Sequence, residues 1–81
     1  MPEHDAIAAA ILQMTAARGP GKSICPSEVA RKLAPEDWRA HMSAVRAVAA
    51  ELTEAGKIRV TQGGETVDPK EAWGAIRLTV A

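Results

Sequence analysis

Two kinds of hydrophobic spacing divide this chain. Between Asp5 and Arg18, Ile7, Ile11 and Met14 recur at intervals of four and three with Ala10 and Ala17 beside them, which predicts an amphipathic helix. Glu3 and Asp5 at its start and Arg18 at its end suit the helix dipole, and Gly19-Pro20-Gly21 stops it. A second helical stripe is longer: Trp38, Met42, Val45, Ala49 and Leu52 repeat at four, three, four and three, with Val48 widening it. This predicts a helix from Pro35 or Trp38 to Ala55, ended by Gly56 in a left-handed cap. Alternation then replaces helical spacing. Ile58 and Val60 alternate with Arg59 and Thr61, and Ile76, Leu78 and Val80 with Arg77 and Thr79, so both segments read as half-buried strands.

The pieces between these elements are short and strongly marked. Lys22 to Cys25 fits a brief strand with Ile24 facing inward. Cys25 then stands at an N-cap, with Pro26 at the first helical position and Glu28 at the third, opening a short helix that runs to about Ala34. Ser27 offers an alternative cap in a shifted frame. Val29 and Leu33 face inward there, Arg31 and Lys32 outward. Pro35 bars that helix from continuing and makes Ala34-Pro35-Glu36-Asp37 a turn. Gln62-Gly63-Gly64-Glu65 supplies a hairpin turn, and the stretch from Thr66 to Gly74 is longer than a minimal hairpin needs, which predicts an ordered excursion. The order helix, strand, helix, helix, strand, wing, strand defines an α+β winged helix-turn-helix with three helices and a small antiparallel sheet. Residues 1–81 make one domain.

Charge tempers the functional reading of that shape. Ten basic and ten acidic side chains cancel, the sequence pI is near 6.7, and neither half is more than one charge from neutral. A nucleic-acid binder draws much of its affinity from phosphate neutralisation, so binding by this chain has to come from a local patch. The third helix is the recognition helix of the motif, with Arg39, Ser43, Arg46, Ala50 and Glu54 on its solvent side. Arg31 and Lys32 could reach phosphate from the second helix, and Lys70 or Arg77 from the wing. Against this stand Glu36 and Asp37 at the tip of the recognition helix, which would meet phosphates and which a capping function explains fully.

The expectation is therefore a small non-enzymatic module that binds double-stranded DNA through Arg31, Lys32, Arg39, Ser43, Arg46 and Lys70 in a regulatory role. The alternative is a protein-interaction module using the alanines at 40, 44, 47 and 50 together with Trp73, unless Trp73 folds back over Val67. Trp38 continues the core stripe and reads as a packing residue. A homodimer would double the basic patch under either reading. His4, Cys25 and His41 match no metal-ligand spacing, and no cofactor is implied. Cys25 at a helix start could be a redox-active thiol, but a structural role is the commoner one, and no base is placed to make it a nucleophile. A single cysteine allows no internal disulfide, no apolar run is long enough to cross a bilayer, and the acidic start is unlike a signal peptide; the expected compartment is the cytoplasm.

The segments GPGKSICPSEVARKLAPEDWR, AELTEAGKIRVTQGG, and VDP with GAIRL carry a more specific likeness. From about Ile7 to Val80 the chain resembles a family of small bacterial proteins of unknown function with a winged-helix fold. The resemblance implies a compact winged helix found alone or appended to other bacterial proteins. It implies no activity, ligand or site residue. A proline often follows the wing glycine in that family, whereas Gly74 is followed here by Ala75.

Overall fold

The computed structural model describes residues 4–72 and 74–81 of the chain. Helix α1 spans His4–Arg18, α2 Pro26–Leu33 and α3 Met42–Glu54, with a 3-10 turn at Trp38–His41 leading into α3. Strands β1 (Ile58–Gln62), β2 (Glu65–Thr66) and β3 (Arg77–Val80) form an antiparallel sheet in the order β2-β1-β3. The fold is α+β. Its helices pack on one another, and α1 and α3 also contact β3 and β1.

Ile7, Ala10 and Ile11 of α1 are buried as the periodicity predicts, but the stripe continues through Thr15, with Met14 only half-buried. A hydroxyl is tolerated there because Thr15 Oγ1 donates to the Ile11 carbonyl at 2.8 Å, satisfying it within the helix. Ile24 sits fully buried as a single bridge to β3, exchanging both backbone hydrogen bonds with Leu78 at 2.9 and 2.8 Å. At the start of α2, the Glu28 carboxylate accepts from the Cys25 backbone N–H at 2.7 Å, the return arm of a capping box. Pro26 follows at the position where its missing N–H costs nothing.

The long third helix is two elements. Asp37 and Ala40 donate backwards over three residues to Ala34 and Asp37, at 3.2 and 3.0 Å, so the chain leaves Pro35 in tight turns and becomes α-helical only at Met42. Val45, Val48, Ala49 and Leu52 are buried as predicted, with Trp38 and Met42 packed against the core from its edge. Ala50, expected on the solvent side, is buried at 3% exposure. The helix closes with both bonds of a Schellman motif, Lys57 N–H to Leu52 and Gly56 N–H to Thr53, and Gly56 takes the φ of +74° that the motif requires.

Gly63 and Gly64, at φ +60° and +86°, make the predicted two-residue turn between Gln62 and Glu65. The strand that returns across this turn is the two-residue β2. β3 joins the opposite edge of β1, with Val60 against Leu78 and Ile58 against Val80, and Ile76, expected to begin this strand, lies just before it. β1 is thus the central strand, and residues 67–76 carry the chain from one edge of the sheet to the other.

Candidate nucleic-acid interface

The turn at Pro35 brings the end of α2 against the beginning of the third helix, and Trp38 stands at their meeting point. Arg31, in the last turn of α2, places its Cζ 4.2 Å from the centre of the Trp38 ring; Arg39 places its own 4.3 Å from the same centre. Stacking a guanidinium on an indole is worth about 0.5–1 kcal/mol at an exposed site, and it leaves the N–H edges pointing outward for an acceptor. Both arginines and the neighbouring Lys32 are exposed, and among the described residues none of the three enters an ion pair. Two guanidinium groups without an ion-pair partner among the described residues and an aromatic platform therefore share one corner of the molecule, with Lys32 exposed next to Arg31 in the last turn of α2. Ser43 is exposed on the first turn of α3 beyond it.

Of the two carboxylates expected to oppose phosphate here, Asp37 is directed to His41: its Oδ1 lies 3.3 Å from the Nε2 of that imidazole, which is 5% exposed. Glu36 is exposed. One acid of the pair thus faces the imidazole at the end of the 3-10 turn, and the other is open to solvent.

The other predicted contacts lie elsewhere and are occupied. Arg46, expected on the solvent side of α3, is half-buried and turned toward the 67–76 connection. Its two Nη groups donate to the carbonyls of Gly74 and Ala72, at 2.9 and 3.0 Å. Lys70 pairs with Glu54 at 2.7 Å, which raises its pKa above the ordinary lysine value, and its backbone N–H donates to Asp68 Oδ1 at 2.9 Å. Pro69 between them is buried and shares a shallow depression with Ser43, Ala47 and Ala50. This covering by the connection explains why Ala50 is buried. The sequence expectation for Trp73 lies outside the described residues.

Arg77, the second wing cation of the sequence reading, is turned inward as well. Its Nε and Nη2 donate to Ser23 Oγ and Ser23 O, at 2.8 and 3.0 Å, and its Nη1 donates to Cys25 Sγ at 2.7 Å. Arg18 joins the same cluster through Ser23 O and Glu28, both at 2.9 Å. These contacts fasten β3 and the end of α1 to the start of α2 and give Cys25 a structural setting. The Cys25 N–H and, secondarily, Arg18 hold the Glu28 carboxyl below its ordinary value of 4.5. A depressed folded-state pKa contributes stability that is fully present above 4.5 and is lost as pH falls through the lower folded value. Urea midpoints of Glu28→Gln should accordingly trail the native chain at neutral pH, and the gap should close in acid. A gap independent of pH would assign the loss to packing instead.

Among the described residues no group of three or more His, Cys, Asp or Glu side chains could hold a metal ion, and no helix is long and apolar enough to cross a membrane. The family model described as "Protein of unknown function (DUF3253)" matches residues 4–81. The chain belongs to the DUF3253 family. No curated protein matches it. The matched span takes in all three helices and the sheet, so the basic corner around Trp38 lies within the DUF3253 domain.

Proposed function

We propose that this DUF3253 chain is a non-enzymatic winged-helix module that binds duplex DNA in a regulatory role. It would do so through Arg31, Lys32 and Arg39, with Ser43 beside them. The observation that carries the reading is the pair of guanidinium groups stacked on Trp38 with no carboxylate partner among the described residues. Packing two like charges around one ring is opposed by their repulsion, and an anion resting on their free edges relieves it. A phosphodiester backbone offers such anions at regular spacing. Arg39 sits at the N-terminal end of the third helix, the end that enters the major groove in helix-turn-helix proteins, and Arg31 and Lys32 lie in the last turn of α2. With a net charge of zero, the chain has no long-range field to add, so affinity rests on this corner alone.

A fluorescence anisotropy titration of a labelled duplex at several salt concentrations tests the reading. Three phosphate contacts give a slope of log affinity against log salt of about −3, with non-specific dissociation constants of roughly 10⁻⁴–10⁻⁶ M. No binding at low salt, or binding indifferent to salt, would remove the proposal. A protein-interaction module is the second reading. The exposed alanines Ala40, Ala44 and Ala47, beside the open groove lined by Leu33 and Pro35, favour it. It predicts a complex that tolerates salt.

A further inference from the structure

We infer that Arg39 reads a guanine in the major groove while Arg31 and Lys32 hold phosphate, and that the Trp38 indole ties the two kinds of contact together. The inference rests on the DNA-binding reading above and adds a sequence requirement to its ligand: a guanine at the position that Arg39 reaches.

Arg39 differs from the other cations in where it stands and in what it is free to do. It lies in the 3-10 turn Trp38–His41 at the N-terminal end of the third helix, and the N-terminal residues of a recognition helix are those that meet base edges. Its Cζ is 4.3 Å from the centre of the indole, so the ring fixes the plane of the fork and leaves its N–H edges outward. No carboxylate pairs with it among the described residues. Arg46, the other arginine between Trp38 and Glu54, is committed through both Nη groups to the carbonyls of Gly74 and Ala72. Between Arg39 and Glu51 the exposed residues are Ala40, Ser43, Ala44 and Ala47, none with a side chain longer than a hydroxymethyl group. Longer side chains on that side would hold the helix away from the groove floor and keep Arg39 short of the bases.

A flat fork of parallel N–H donors needs two acceptors side by side. Guanine presents N7 and O6 on its major-groove edge. Adenine sets an amino donor beside N7, cytosine presents an amino donor, and thymine has one acceptor next to a methyl group. Holding the fork in one plane on the indole lowers the freedom it loses on engaging, which strengthens the pairing. Arg31 shares the same ring from α2, at 4.2 Å, and the first helix of the motif crosses the backbone. One indole therefore couples a phosphate contact to a base contact, and a slip of register breaks one or the other. On a duplex without the site Arg39 rests on phosphate, which gives the salt slope of about −3. On the site it exchanges that phosphate for guanine, and the slope becomes about −2.

The test is a selection from a pool of short duplexes with randomised centres, run with the full chain at low salt and read by sequencing the bound fraction. A motif with a fixed guanine should be enriched. Changing that guanine to adenine should weaken binding by roughly five- to hundredfold, and 7-deazaguanine, which lacks the N7 acceptor, by a smaller factor. Arg39→Ala should bring the guanine and adenine duplexes within about twofold of each other. Arg31→Ala should weaken both and keep their ratio. Trp38→Leu, with circular dichroism confirming the fold, should lower the ratio more than it weakens an unselected duplex. Equal weakening of all duplexes by Trp38→Leu would overturn the part assigned to the indole. Duplex binding with no enriched guanine, or a guanine preference that survives Arg39→Ala, would overturn the inference and leave DNA binding intact. Failure to bind any duplex would overturn both.

Discussion

Arg31→Ala combined with Arg39→Ala is expected to weaken duplex binding about a hundredfold at low salt and to bring the salt slope from about −3 to about −1, leaving Lys32 as the sole cation of the corner. A hydrogen bond to a charged group contributes about 1.5–3 kcal/mol, so two such contacts at the lower bound make about 3 kcal/mol, or two decades. The fold should survive, since both side chains are exposed and each loses only its stacking on Trp38, about 0.5–1 kcal/mol. Arg31→Lys with Arg39→Lys separates charge from geometry. It keeps the counterions released and hence the slope, but loses the planar fork that lies on the indole, so its affinity should fall between the native chain and the double alanine. If the double alanine variant binds as the native chain does, the corner is not the interface.

The second large effect concerns the centre of the core. Leu78 is fully buried, faces Val60 across the sheet and exchanges both backbone bonds with Ile24, so it joins β1, β3 and the strand-like residue before α2. Leu78→Ala keeps those backbone bonds and leaves a void among Ile, Leu and Val side chains that cannot close without moving the sheet. The expected cost is about 3–4 kcal/mol. At about 0.05–0.15 kcal/mol per residue, a chain of 81 residues has on the order of 4–12 kcal/mol in total. Thermal unfolding followed by circular dichroism should therefore shift down by roughly 20 °C, with part of the population unfolded at physiological temperature. A shift under about 5 °C would mean that the Leu78 side chain is not central to the core.

What could be read from the sequence was what neighbouring residues decide. Gly56 ends α3 because a left-handed residue must follow the last turn, and Gly63-Gly64 closes the hairpin because both turn positions need positive φ; each is local and each was legible. The stripe through Val45, Val48, Ala49 and Leu52 is a property of one helix, and it survives intact. The side of β1 to which the chain returns is decided by tertiary packing. No spacing announces that β2 takes one edge and β3 the other, and so none announces that Pro69 comes beside Ala50 or that Ala72 and Gly74 hold Arg46. The α-helix begins only at Met42 for a related reason: Pro35 marks a turn without saying how many tight turns follow it.

The candidate site shows the same division. Arg31, Lys32, Arg39 and Ser43 were legible as exposed polar positions from helical phase alone. Periodicity makes Trp38 a packing residue, and it is one, but the contact that gives it a further role brings Arg31 from another helix across the Pro35 turn. The two lie seven positions apart in sequence, and only the angle of that turn places guanidinium over ring. Arg46, Lys70 and Arg77 carry the same formal charge as the corner residues, and their partners are carbonyls, a carboxylate, a hydroxyl and a thiol distant in sequence. Counting basic residues overstates what is open to a ligand.

The most direct measurement follows the arginine Nε–H and Trp38 indole N–H signals of isotopically labelled protein by NMR while a short duplex is added at low salt. Signals of Arg31, Arg39 and Trp38 should move together and saturate, and that of Arg46 should stay in place. Movement of Arg46 with the Trp38 corner unchanged would place the nucleic acid on the covered face of α3 and contradict the account.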